Sequence, residues 1–64
     1  MTTAQKLGKG LYRVKLPLGW AWIERDEHSG SDAWWVSLPG RRPQLVPSYQ
    51  RAMQIVDQFL AVTR

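Results

Sequence analysis

The C-terminal run YQRAMQIVDQFLAVTR constrains this chain more than any other stretch. At about 100° per residue, Tyr49, Ala52, Met53, Val56, Phe59, Leu60 and Thr63 fall on one face, with Gln50, Gln54, Asp57 and Gln58 opposite. Ser48 supplies a hydroxyl that can accept from a free N–H of the first turn. A helix patterned this way must bury its apolar stripe against another layer. Nothing else in the chain has a helical period, so that layer has to be a sheet.

The strands are legible from period-2 alternation. In LYRVKLP, Tyr12, Val14 and Leu16 point one way and Leu11, Arg13 and Lys15 the other. Pro17 stops that strand, and PLG turns the chain into WAWIERDE, where Ala21 and Ile23 share one face and Trp20, Trp22 and Glu24 the other. HSGS reads as a turn. AWWVSLP then places Trp34, Val36 and Leu38 opposite Ala33, Trp35 and Ser37, and Pro39-Gly40 closes it. RPQLVP adds at most a short edge strand between Pro43 and Pro47. The expected fold is α+β: a three- to four-stranded antiparallel sheet packed on one face by a C-terminal amphipathic helix, in the order β-β-β-(β)-α. Residues 10–64 form the domain, and residues 1–9, ending near Gly8 and Gly10, read as a flexible arm.

Adjacent residues on a strand face opposite ways, so only one member of the Trp34-Trp35 pair can meet the helix. Giving Tyr12, Val14, Leu16, Ala21, Ile23, Trp34, Val36 and Leu38 to the helix leaves Arg13, Lys15, Trp20, Trp22, Trp35 and Ser37 on the open face. Arg41 and Arg42 stand at its end. Aromatic planes stack on bases or pack into a partner, and arginine and lysine neutralise phosphate. Two alternatives stay open: the tryptophans pair across strands and only stabilise the sheet, with the N-terminal arm folded over them, or a bulge near Gly19 exchanges the faces of Trp20 and Trp22 with those of Ala21 and Ile23. On the helix, Ile55, Phe59 and Val62 widen the apolar arc, either as wrapped core or as an edge covered by a second copy, in a weak homodimer, or by a partner.

Composition narrows the chemistry. The chain has 64 residues, no cysteine, a formal charge of +4 and a pI near 10.1. A chain this short forms one domain that buries only about 60% of its unfolded surface. The absence of cysteine removes disulfides, thiolate metal sites and thiol nucleophiles, and fits a cytoplasmic protein. The N-terminal MTTAQKLGKG lacks the apolar run of a signal peptide or membrane anchor. The basic balance favours polyanionic partners. Its distribution is segregated, with Lys6, Lys9, Arg13 and Lys15 early, Arg41 and Arg42 late, and Glu24, Asp26, Glu27 and Asp32 between. His28 sits in the acidic turn ERDEHSGSD, whose spacing matches no metal-ligand frame. Ser29, Ser31, Ser37 and Ser48 have no base that strand or helix geometry would place beside them. The expectation is a non-catalytic binding protein with no metal and no cofactor.

WWVSLPGRRPQLVPSYQRAMQIVDQFL resembles the sheet-plus-helix domains at the N-termini of tyrosine-type phage integrases, and YRV followed by GWAWIERD resembles the first strands of the related APETALA-type plant DNA-binding domain. The resemblance spans roughly residues 11–62. It implies that the sheet face away from the helix enters the DNA major groove, a role that falls to Arg13, Lys15, Trp20, Trp22, Trp35 and Ser37. The chain departs from the family in carrying Glu24 on that face and Asp26 and Glu27 just beyond it, where carboxylates repel phosphate. Size and composition also resemble small phage-encoded inhibitors of the anti-CRISPR type. That likeness implies a host protein or nucleoprotein complex as partner, held by the same face, since tryptophan and arginine are favoured at interface hot spots. DNA is the first expectation and the protein partner the alternative.

Overall fold

Five short strands precede the helix in the computed structural model, which describes residues 4–28 and 32–63. They are β1 (Ala4–Gly8), β2 (Leu11–Leu16), β3 (Gly19–Arg25), β4 (Trp34–Ser37) and β5 (Gln44–Val46), followed by α1 (Tyr49–Thr63). Neighbours in sequence are neighbours in the sheet, in the order β1-β2-β3-β4-β5, and every pair is antiparallel. α1 packs across β3, β4 and β5. The α+β arrangement is therefore the one read from the sequence, with one strand more.

The additional strand is β1, which occupies most of the segment expected to be a loose arm. Its residues AQKLG carry one large apolar side chain and stay mostly exposed, so they leave no alternation to read. Pairing with the backbone of β2 holds them instead, with Gln5 opposite Arg13 and Lys6 opposite Tyr12, and the register slips between Lys6 and Gly8. An edge strand needs one hydrogen-bonded neighbour and no buried face. At the other edge β5 is confined between Pro43 and Pro47, as the prolines require. Residues 1–3 of the expected arm, residues 29–31 of the HSGS turn and the side chain of Thr63 lie outside the described residues.

The core is the face assigned by alternation. Val14, Leu16, Ala21, Ile23, Val36 and Leu38 from the sheet are buried with Ala52, Val56 and Phe59 from the helix and Val46 from β5. β2 and β3 pair without a register shift from Leu11↔Glu24 to Leu16↔Gly19, so no bulge at Gly19 exchanges the faces. Gly19 has φ of 142° and lies against Pro39, a backbone conformation that side-chain-bearing residues rarely adopt. The Ser48 hydroxyl oxygen accepts from the Arg51 N–H at 3.1 Å, which is the expected helix cap.

Trp34 is the member of the tryptophan pair that meets the helix. Its ring lies 5.4 Å from Tyr49 and 6.1 Å from Tyr12, and the two tyrosines lie 4.8 Å apart, a three-ring cluster at the start of α1. Tilted and edge-on aromatic pairs of this kind add about 0.5–1.5 kcal/mol each beyond area burial. Burial, and secondarily the charge that Tyr12 would carry, push the Tyr49 phenol above its ordinary value of 10.0. A raised phenol pKa means that the folded state holds the proton more tightly than the unfolded chain. Stability linked to it is complete below the unfolded value and falls as pH rises through the folded one. Melting curves from neutral pH into the alkaline range should therefore fall off more gently for Tyr49→Phe than for the parent.

Candidate functional site

The opposite face of the sheet is bare, and its register can be read row by row. Gln5, Arg13, Trp22 and Ser37 form one row from β1 to β4. Lys15 and Trp20 face each other in a second. Leu11, Glu24, Trp35 and Leu45 form a third from β2 to β5. None of the three tryptophans is set opposite another. Each has a charged, small or aliphatic cross-strand partner.

That register decides how the rings are used. Among the described residues the aromatic ring pairs belong to Tyr12, Trp34 and Tyr49 on the helix side. The structural alternative, tryptophans pairing across strands, is not what the sheet contains. Trp20 is instead flanked by two cations. The Arg13 guanidinium carbon lies 4.2 Å from the ring centroid and the Lys15 ammonium 4.8 Å, the lysine from directly opposite and the arginine from the diagonal. Arg13 Nε also donates to Gln5 Oε1 at 2.8 Å, so β1 steadies the guanidinium. Contacts of this type contribute about 0.5–1 kcal/mol each at exposed sites and leave both positive charges intact. Trp22 and Trp35 are 40% and 39% exposed, a large value for residues in the middle of a sheet.

Arg13, Lys15, Trp20, Trp22, Trp35 and Ser37 thus come together as alternation places them. Arg41 does not join them. Leu38, Pro39, Gly40 and Arg41 make a turn in which the Arg41 N–H donates to the Leu38 carbonyl at 3.1 Å, with Gly40 at φ of 73°. Proline followed by a positive-φ glycine is the type II pattern. Beyond this turn the Arg41 guanidinium sits 5.2 Å from the Phe59 ring, on the helix side. The expectation that Arg41 ends the open face is corrected by this turn. Arg42 beside it is exposed.

The helix-edge trio divides in the same region. Phe59 is buried in the core, Ile55 packs against that core, and Val62 is 79% exposed. All three line a surface groove of about 390 Å³ with Leu38, Arg41, Gln44, Arg51 and Gln58. At the far end of the sheet, Trp35 borders a smaller hollow of about 240 Å³ with Glu24, Arg25, Asp26, Glu27 and His28. There Asp26 Oδ1 accepts from the His28 N–H at 3.1 Å, and Arg25 pairs with Asp32 at 3.2 Å. Among the described residues no group of three or more histidine, cysteine or acidic side chains is placed to hold a metal ion. No helix of the described residues is long and apolar enough to cross a membrane.

Two participants escaped sequence reasoning. Gln5 lies in a strand without alternation, and its contact with Arg13 depends on that strand forming. Leu45, 51% exposed, extends the Trp35 row to the sheet edge. It was recoverable, since any β5 paired to β4 must set one of its residues against Trp35. Comparison with protein-family models, curated proteins and solved structures finds no match to this chain.

Proposed function

We propose that the protein is a small non-catalytic DNA-binding protein that engages its ligand through the open face of the sheet. The observation that carries this reading is the cross-strand register, which gives Trp20, Trp22 and Trp35 non-aromatic partners and sets Arg13 and Lys15 among them. Exposed Trp22 and Trp35, with Arg13 and Lys15 gathered at the half-buried Trp20, supply both parts of nucleic-acid affinity, stacking on bases and charge for phosphate. The net charge of +4 adds long-range attraction.

The test is the salt dependence of DNA binding. Arg13→Ala and Lys15→Ala should each lower the slope of log K against log salt by about one, whereas Arg41→Ala, on the helix side, should leave it unchanged. A slope indifferent to Arg13 and Lys15 contradicts the reading.

A second reading has its own observation. Leu45 prolongs the Trp35 row, and Glu24 lies within it, giving the β5 side of the face the mixed apolar and charged character of a protein interface. The partner would then be a host protein or nucleoprotein complex, and the chain an inhibitor of the anti-CRISPR type. Failure of any DNA to bind at low salt, together with retention of a host complex by the parent but not by Trp35→Ala, favours this reading over the first.

A further inference from the structure

Resting on the nucleic-acid reading of the open face, we infer that its ligand is an unpaired strand, with bases laid on Trp22 and Trp35 and phosphates on Arg13 and Lys15. Duplex DNA keeps its bases stacked and presents only their edges in the grooves. An indole offers an edge one N–H donor, and its large flat surface finds little there to cover beyond the thymine methyl groups. An unstacked base offers a whole face, which is what the uncovered rings of Trp22 and Trp35 can take.

The spacing suits two successive bases. Trp22 opposes Ser37 and Trp35 opposes Glu24, so the two tryptophans are diagonal neighbours on β3 and β4. Diagonal positions lie about 7–8 Å apart, a step that two splayed nucleotides of an extended strand can follow.

Charge points the same way. The positive groups drawn together on the face are Arg13 and Lys15, both at the Trp20 end. Glu24 stands in the Trp35 row, and Asp26 and Glu27 line the hollow that Trp35 borders, where Arg25 is paired with Asp32. A duplex brings one phosphate charge per ~1.7 Å of axis and would press some of them onto those carboxylates. A single strand carries fewer charges and can pass its backbone over the Arg13 and Lys15 side alone. A carboxylate near Trp35 then meets the edge of an unpaired base, whose N–H it can accept from, the ring N3–H of thymine or the exocyclic amino group of the other bases.

The experiment compares an oligothymidylate of about 12 nucleotides, within the usual range for one small module, with a duplex of the same length, read by tryptophan fluorescence at low and moderate salt. The single strand should bind at least roughly tenfold more tightly, with a salt slope near −0.7 per phosphate neutralised. Trp22→Ala and Trp35→Ala should each weaken it by roughly 5- to 150-fold. Trp22→Phe, which keeps an aromatic face and the sheet packing, should recover most of that loss. Equal or tighter duplex binding that still depends on Arg13 and Lys15 overturns the single-strand inference and leaves the DNA reading standing. Binding of neither form overturns both.

Discussion

Ile23→Ala should remove a large share of the domain's stability, about 2–5 kcal/mol. Ile23 is fully buried at the middle of the central strand, opposite Tyr12 on one side and Val36 on the other. Truncating a buried isoleucine removes the transfer energy of its side chain and leaves a cavity, for a total of about 2–5 kcal/mol. The cost is large because the domain is small: stability of about 0.05–0.15 kcal/mol per residue gives a 64-residue chain on the order of 3–10 kcal/mol altogether. Urea titration followed by tryptophan fluorescence gives the loss directly. A midpoint close to that of the parent would mean that the helix does not rest on Ile23 as described.

The double variant Trp22→Ala/Trp35→Ala should show the opposite separation, with binding lost and the fold retained. Each indole supports one base, at about 1–3 kcal/mol, so two independent losses move affinity by roughly one and a half to four orders of magnitude. Their contribution to folding is smaller, since neither ring joins the core and neither is set opposite another aromatic. Cross-strand pairs at these positions contribute about 0.2–1 kcal/mol each. Far-UV circular dichroism should stay close to that of the parent while the affinity for single-stranded DNA collapses. A variant that unfolds instead would make the tryptophans part of the scaffold.

These variants could be chosen largely from the sequence. Alternation in LYRVKLP, WAWIERDE and AWWVSLP separates a helix-facing set from an open set, and each residue of the first set is buried or packed on the core. Burying one face and exposing the other writes period 2 into the residue types, so the central strands are readable. β1 is not, because an edge strand held by backbone hydrogen bonds can carry any residues that tolerate extended geometry. Gln5, which braces Arg13, was hidden for that reason.

Arg41 shows a different limit. Its position in the chain, just past a strand whose outer face carries Trp35, suggests that it continues that face. Where it goes is set by the φ of Gly40 and the turn hydrogen bond to Leu38, and a Pro-Gly pair in the sequence marks a turn without fixing the side to which the next side chain departs. The cations of the site reduce to those whose strand register is fixed, Arg13 and Lys15. Ring pairing was equally out of reach, since whether tryptophans on neighbouring strands meet depends on register, and register depends on where each turn closes.

The adjacent pair Trp34 and Trp35 offers the most direct test of the central claim. Their indole N–H groups give separate NMR signals on opposite faces of one strand, Trp34 in the cluster with Tyr12 and Tyr49 and Trp35 in the open. On addition of oligothymidylate at low salt, the signals of Trp22 and Trp35 should shift strongly and that of Trp20 moderately, while Trp34 stays in place. Movement of Trp34 or of the α1 amides, with Trp22 and Trp35 unmoved, would put the ligand on the helix side and contradict the assignment of the open face as the binding surface.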